Sequence, residues 1–190
     1  SNFLDSIRKP GSVGKSAGPE IALIRDNKLI TVANTVGEIV IRGSNVTKGY
    51  KNNDKANKEN FFDGWFKTGD LGKFDEDGFL FISGRIKEII NKGGEKISPQ
   101  EVDEALMRHR AVFQAVCFSV KHEKLGEDIA AAVVLKDGSA VDDKDLKTHL
   151  SKSITTFKIP RQILILDEIP KGNTGKIQRI GLAKKLGLEL

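Results

Sequence analysis

Apolar residues follow two rhythms along this chain. Up to about residue 83 they come in short, branched runs at 21–24 and 37–42, set apart by the turn formers Asp26-Asn27 and Gly43-Ser44-Asn45. Runs of this kind between glycine- and asparagine-rich breaks predict β-strands. Residues 51–63 are polar with little β-branching and predict a short helix or an exposed loop. The stretch 64–72 leads into 73–75, and Asp75-Glu76-Asp77-Gly78 turns the chain back into 79–83, which predicts a hairpin.

Beyond Gly84-Arg85 the rhythm changes. Residues 86–91 predict a strand that ends at Lys92-Gly93-Gly94. Ser98-Pro99-Gln100-Glu101 has the form of a helix start, with Ser98 as N-cap, Pro99 at the first helical position and Glu101 closing a capping box. Val102, Ala105 and Leu106 then recur at helical spacing. Further on, two core strands are predicted at 115–120 and 129–135 and a second helix from its cap Asp142 to about Leu150. A third strand follows at 162–166, then a closing helix over 177–188. The order β-α-β-β-α-β-α predicts a small α+β domain with helices packed on a sheet. Two parts are therefore expected: a β-rich one over residues 1–84 and an α+β one over 85–190. There is no internal repeat or low-complexity stretch.

Length and composition narrow the function classes. A chain of 190 residues, 38% apolar, accommodates one ordinary domain or two small ones with real cores. No apolar run approaches the roughly 18 residues that span a bilayer, and no leading basic-then-apolar segment resembles a secretory signal. The one cysteine, Cys117, sits in the apolar run Val116-Cys117-Phe118 and is expected to be a buried, inert thiol. Three histidines and one cysteine leave no plausible metal cluster. A reducing compartment fits this inventory. The net charge is +5, and residues 158–190 hold seven basic and three acidic groups, +4 locally. That excess suits phosphate, whether on a nucleotide, on CoA or on RNA. A solvated lysine-rich surface would have the same composition.

Three short segments could do chemistry. Thr68-Gly69-Asp70 sets a carboxylate beside a glycine, where a ligand can approach the backbone closely; a carboxylate can accept both hydroxyls of a ribose, but the tripeptide alone also describes a turn or helix-capping Asp. Gly84-Arg85-Ile86-Lys87 offers a planar donor fork suited to ribose oxygens or phosphate, or else a surface hairpin. Lys171-Gly172-Asn173-Thr174-Gly175-Lys176 is a flexible loop with two ammonium groups that lacks the Gly-x-x-x-x-Gly-Lys-Ser/Thr spacing of a phosphate loop. A lysine on such a loop can stabilise charge on a transferring phosphate; by itself the loop reads rather as a solvated turn.

Order and spacing change this. The segments 64–70, 78–90, 93–102 and 170–179, with Gly37-Glu38 through Thr47-Lys48-Gly49-Tyr50 before them, closely resemble the adenylate-forming superfamily. That group comprises acyl-CoA synthetases, firefly luciferase and peptide-synthetase adenylation domains. The resemblance covers essentially the whole chain and corresponds to the C-terminal portion of such an enzyme. Residues 91–99 look most like the yeast peroxisomal CoA synthetase and the plant oxalyl-CoA synthetases.

The resemblance implies a β-barrel-like subdomain from the end of the large AMP-binding domain, followed by a small α+β lid. It implies that Asp70 binds the ribose hydroxyls of ATP or AMP with help from Arg85, and that Lys87 is the hinge. Lys176 would reach the carboxylate and α-phosphate during adenylation. Lys96 would meet the AMP phosphate in the thioester-forming state, and Gly93 and Gly94 would let the CoA pantetheine pass close to backbone. Asn91 stands where many relatives carry lysine. ATP and CoA are the implied cosubstrates, with Mg2+ arriving on ATP and no ligands for it from these residues. A small carboxylic acid is the implied substrate, oxalate by the finer likeness. The phosphate-gripping loop and the acid pocket precede the matched segment, so the chain is expected to be a fragment that needs the rest of the large domain and turns nothing over alone.

Two rivals stand beside this reading: transfer of the acyl group to a carrier protein, and a non-catalytic RNA-binding role for the basic lid. The second lacks interleaved surface aromatics, since beyond residue 82 only Phe113, Phe118 and Phe157 occur. The finer likeness implies a peroxisomal matrix location, with cytoplasm as the alternative, although the chain closes on Leu188-Glu189-Leu190 rather than Ser-Lys-Leu.

Overall fold

The computed structural model describes residues 8–172 and 174–188; Asn173 of the Lys176 loop and the Glu189-Leu190 tail lie outside the described residues. The chain divides into two compact units, the first ending at Lys87 and the second beginning at Glu88. The division falls after Arg85, which is still the strand partner of Asp70.

The first unit contains β1 (Glu20–Arg25), β2 (Lys28–Leu29), β3 (Gly37–Arg42), α1 (Asp54–Asn60), β4 (Phe61–Phe62), β5 (Trp65–Phe74) and β6 (Leu80–Arg85). Its antiparallel sheet runs β2-β1-β3-β5-β4, with β6 also on β5, and curls as a half-barrel. Asp26 and Asn27 turn β1 into β2 at φ 51° and 55°, the left-handed pair of a two-residue hairpin. Strand alternation buries Leu23, Ile39 and Leu80 in one cluster and Ile24, Val40 and Trp65 in another. The polar stretch 51–63 does form a helix, and α1 buries none of its side chains. It is held instead by its cap, Asn53 accepting the Ala56 N–H at 3.0 Å, and by Asn57, whose amide bonds both the N–H and the carbonyl of Tyr50.

A 3-10 turn at Ile86–Glu88 crosses the division, and the second unit continues with β7 (Ile90–Lys92), β8 (Glu95–Ile97), α2 (Pro99–Met107), β9 (Val112–His122), β10 (Gly126–Leu135), α3 (Asp143–Leu150), β11 (Gln162–Ile165) and α4 (Leu182–Lys185). β10 pairs antiparallel with β9 and parallel with β11. Both faces of this sheet are covered. Val102, Ala105 and Leu106 of α2 with Leu146 and Leu150 of α3 pack with Cys117, Ala131 and Val133. Ile169, Leu182 and Ala183 pack with Val116, Phe118, Ala130 and Ala132. Two-sided burial is why residues 129–133 read as an unbroken apolar run rather than an alternating one.

Three sequence expectations change in this unit. The strand expected over 86–91 splits into the 3-10 turn and β7, because Gly93 and Gly94 fold Lys92 back onto Glu95 as a hairpin. At α2, Pro99 holds the first helical position, but Ser98 makes no side-chain cap bond. Glu101 turns outward to Lys158 at 2.7 Å, and the capping box forms at α3 between Asp142 and Asp145. The helix expected over 177–188 contracts to Leu182–Lys185. Ile177 bridges back to Lys171, and Gly181 and Gly187 take φ 78° and 70°, which end helical geometry on either side. Among the described residues no helix is long and apolar enough to cross a membrane.

Candidate active site

Thr68-Gly69-Asp70 is a bulge in β5. Glu38 pairs with Leu71 and Val40 with Lys67, so Ile39 alone faces three residues. The extra residues are stabilised locally: Thr68 Oγ1 donates to the Ile39 carbonyl at 2.7 Å and accepts the Asp70 N–H at 3.1 Å. The Gly69 N–H donates to Glu38 Oε1 at 3.2 Å, and Gly69 sits at φ 75° with open space beside it. Bulges re-aim side chains, and here the carboxylate meets Arg85. Asp70 and Arg85 are cross-strand partners, with Nε donating to Oδ1 at 3.1 Å and side chains 31% and 68% exposed. An acceptor and a donor fork thus lie side by side facing water, a combination that matches a vicinal diol. Lys87 follows in the 3-10 turn and is exposed.

In the second unit, Gly93 (φ 59°) and Gly94 (φ 94°) form the tip of the β7–β8 hairpin. The tip is pinned from behind: the Gly93 N–H donates to the Leu125 carbonyl at 2.9 Å, and the Asn91 N–H to Glu127 Oε2 at 2.6 Å. Lys92 pairs with the buried Asp128 at 2.6 Å. In front of Gly94 no heavy atom lies within 4 Å of where a Cβ would sit, so a ligand chain can pass against the backbone. Lys96, opposite Asn91 in the hairpin, is exposed.

The Lys176 loop is itself a small hairpin. Lys171 bridges Ile177, the Gly172 N–H donates to the Lys176 carbonyl at 2.8 Å, and the Gly175 N–H to the Gly172 carbonyl at 2.9 Å. Gly175 takes φ 74°. The two ammonium groups of the loop have different fates. Lys171 pairs with Glu168 at 2.6 Å, whereas Lys176 is exposed and is, among the described residues, the cation of the loop that no ion pair engages.

The profile of the AMP-binding enzyme C-terminal domain family matches residues 101–176, ending on Lys176. The oxalate–CoA ligase of Arabidopsis thaliana is 53% identical over 171 residues, 90% of this chain and 33% of that protein. The chain belongs to the adenylate-forming superfamily. The oxalate–CoA ligase of Saccharomyces cerevisiae is 47% identical over 186 residues, covering 97% of this chain and 34% of the relative. Among solved structures, ATP-bound MatB from Rhodopseudomonas palustris superposes with a TM-score of 0.89 at 31% identity, over 97% of this chain and 37% of that one. The chain therefore spans about a third of the length of the curated relatives it matches.

One charged group of this superfamily member was not assigned from sequence. Arg179, three residues past Lys176, is 20% exposed and reaches three partners: Nε to Glu88 at 2.9 Å, Nη2 to Asp103 at 2.5 Å, and Nη1 to the Cys117 carbonyl at 2.9 Å. Burial disfavours its charge, yet Asp103 and Glu88 hold the guanidinium's pKa above its ordinary value. Burial pushes the Asp103 carboxyl up against the pull of Arg179 and the Cys117 N–H. The available signal was Asp103 itself, a carboxylate between the apolar helix positions Val102 and Ala105, which demands a buried partner. Cys117 is fully buried, and burial with Asp103 beside it raises the thiol well above its ordinary range, which leaves it inert. Among the described residues no group of three or more His, Cys, Asp or Glu side chains is placed to hold a metal ion.

Proposed function

We propose that this chain supplies the C-terminal part of an ATP-dependent acid:CoA ligase, with oxalate as the acid and Lys176 as the adenylation lysine. The observation that carries this is the Lys176 hairpin, which presents an exposed ammonium free of ion pairing among the described residues at the end of the matched family profile. Oxalate is supported by the names of two relatives, at 53% and 47% identity.

In the first half-reaction a carboxylate oxygen of the acid attacks the α-phosphorus of ATP, and the bond to pyrophosphate breaks. Negative charge grows on the phosphate oxygens, where a positioned ammonium stabilises it. In the second, the CoA thiol, losing its proton, attacks the acyl carbonyl and AMP leaves. Asp70 with Arg85 would hold the ribose hydroxyls, Lys96 the AMP phosphate, and the Gly93–Gly94 backbone would let pantetheine pass. One adenylate needs different groups in the two steps, and a swing about Lys87 would exchange the Lys176 loop for the Gly93–Gly94 turn. Mg2+ would arrive with ATP. The phosphate-gripping loop and acid pocket would come from the rest of the large domain, and a peroxisomal matrix location accompanies the oxalate reading.

The test uses the full-length protein with Lys176→Ala. ATP–pyrophosphate exchange with oxalate should disappear, while oxalyl-CoA formation from supplied oxalyl-adenylate persists. Equal loss of both half-reactions would sink the assignment, and transfer to a phosphopantetheinyl carrier in preference to free CoA would replace the acceptor.

A further inference from the structure

We propose that Arg179 is a positioning residue for adenylate formation, tying the segment that leaves the Lys176 loop to Glu88, the residue directly after Lys87. The inference rests on the roles given above to Lys176 and Lys87. A turn about residue 87 delivers Lys176 only if the motion is transmitted to a loop far along the chain. The Glu88–Arg179 contact joins positions 91 residues apart by a single bond of 2.9 Å.

The geometry of the tie is what singles it out. One planar guanidinium fork engages the 3-10 turn through Glu88, α2 through Asp103 and strand β9 through the Cys117 carbonyl. Asp103 continues the tie by accepting the Cys117 N–H at 2.6 Å. Arg179, Glu88 and Asp103 are only 20%, 23% and 12% exposed, so water competes weakly for these bonds. The near side of the loop is anchored by the buried Ile169 and, on Lys171 itself, only by surface contacts, from Glu168 and from Lys185 Nζ to the Lys171 carbonyl.

The Gly93–Gly94 turn has separate anchors, in Leu125, Glu127 and Asp128. Among the described residues no hydrogen bond or ion pair joins Arg179 to any of these; its bonds go to Glu88, Asp103 and the Cys117 carbonyl. Loosening Arg179 therefore displaces the group needed for the first half-reaction and spares the backbone needed for the second. A displacement of about 1 Å in a catalytic group costs on the order of 100-fold in rate.

The experiment compares Arg179→Gln, Arg179→Lys, Glu88→Gln and Lys176→Ala in the full-length protein. ATP–pyrophosphate exchange, oxalyl-CoA formation from supplied oxalyl-adenylate and the thermal midpoint are measured for each. Arg179→Gln is expected to lower exchange by about 30- to 100-fold while thioester formation stays within about threefold. Arg179→Lys keeps the charge but not the fork and should recover only part of the exchange. Glu88→Gln, which leaves Arg179 and Asp103 paired, should lower exchange by about three- to tenfold and decides the matter if Arg179→Gln does not fold. Loss of both half-reactions in parallel with the thermal midpoint, or no loss of exchange in Arg179→Gln or Glu88→Gln, overturns the proposal. Lys176→Ala separates the two readings: silent Arg179 variants beside a dead Lys176→Ala refute this inference alone. An active Lys176→Ala refutes the functional reading and this inference with it.

Discussion

Arg85 Nε donates to Asp70 Oδ1 at 3.1 Å across the β5–β6 pair, with 68% of the arginine side chain open to water. An ion pair this exposed contributes under about 1 kcal/mol to stability, and it sits on a bulge that interrupts the β3–β5 ladder. Neither the pair nor the bulge is a sensible device for holding a sheet together. Both make sense if the carboxylate is aimed at a ligand.

Asp70→Asn should accordingly separate binding from stability. A hydrogen bond to a charged group contributes about 1.5–3 kcal/mol, so the KM for ATP in the full-length protein should rise about 10- to 100-fold. The thermal midpoint should move by no more than about 4 °C, the shift that 1 kcal/mol produces in a chain of this size. A midpoint that falls sharply while KM holds would make Asp70 a structural bulge residue.

Much of this was legible beforehand, for reasons that differ by element. The runs at 21–24 and 37–42 and the Asp26-Asn27 turn are local signals, and the structure keeps them almost residue for residue. The closing helix was over-read because its apolar residues Ile177, Leu182 and Leu186 suit a helix, whereas Gly181 breaks it through a backbone conformation that apolar spacing does not register. Glu101 looked like half of a capping box until Lys158, distant in sequence, claimed it. Arg179 escaped for the same reason: its partners Glu88, Asp103 and Cys117 come together only through the sheet. Candidate residues on turns were visible as motifs; the ties that hold those turns are tertiary.

Gly72 and Gly94 should respond oppositely to alanine. A Cβ at Gly72 would meet the Phe81 carbonyl at 2.7 Å and Ile39 Cδ1 at 2.8 Å, inside the bulged ladder that carries Asp70. Overpacking of this kind costs about 1–3 kcal/mol. At Gly94 the space is open, and the penalty is only that of φ 94°, about 1–2 kcal/mol. Gly72→Ala should therefore lower the urea midpoint and leave the CoA step alone once folded. Gly94→Ala should fold, spare ATP–pyrophosphate exchange and raise the KM for CoA. An unchanged CoA KM in Gly94→Ala would place pantetheine elsewhere.

Acid should weaken the first unit through two carboxylates. Bonding to Lys9 holds Asp75 below its ordinary 3.8, and bonding to Arg42 holds Glu20 below its ordinary 4.5. Since the unfolded chain takes up these protons at higher pH than the folded one, the stabilisation is complete above about pH 5 and is lost as pH falls through the depressed folded values. Asp75→Asn keeps acceptors for the Phe79 and Asp77 N–H groups and removes the proton linkage. Urea midpoints from pH 7 to 3 should show a shallower acid limb for Asp75→Asn, and shallower still with Glu20→Gln added. Parallel limbs in all three proteins would remove these groups from the acid response.

The β7–β8 hairpin that ends in Gly93–Gly94 depends on a pair out of water. Lys92 Nζ lies 2.6 Å from Asp128 Oδ1, the side chains are 16% and 7% exposed, and the same oxygen accepts the Ile129 N–H at 2.8 Å. Removing one partner of a buried pair leaves the other charge without compensation, at about 3–5 kcal/mol, whereas replacing both with apolar groups of similar volume is often close to neutral. Lys92→Met should therefore destabilise the chain strongly in urea unfolding, and Lys92→Met with Asp128→Leu should recover most of the loss. About 1 kcal/mol should remain for the Ile129 N–H bond that the leucine cannot accept. In the full-length double variant, exchange should stay normal while the KM for CoA rises, because the turn loses one of its two side-chain anchors on β10. Single variants whose small effects simply add would show that solvent reaches the pair and that Leu125 and Glu127 alone hold the turn.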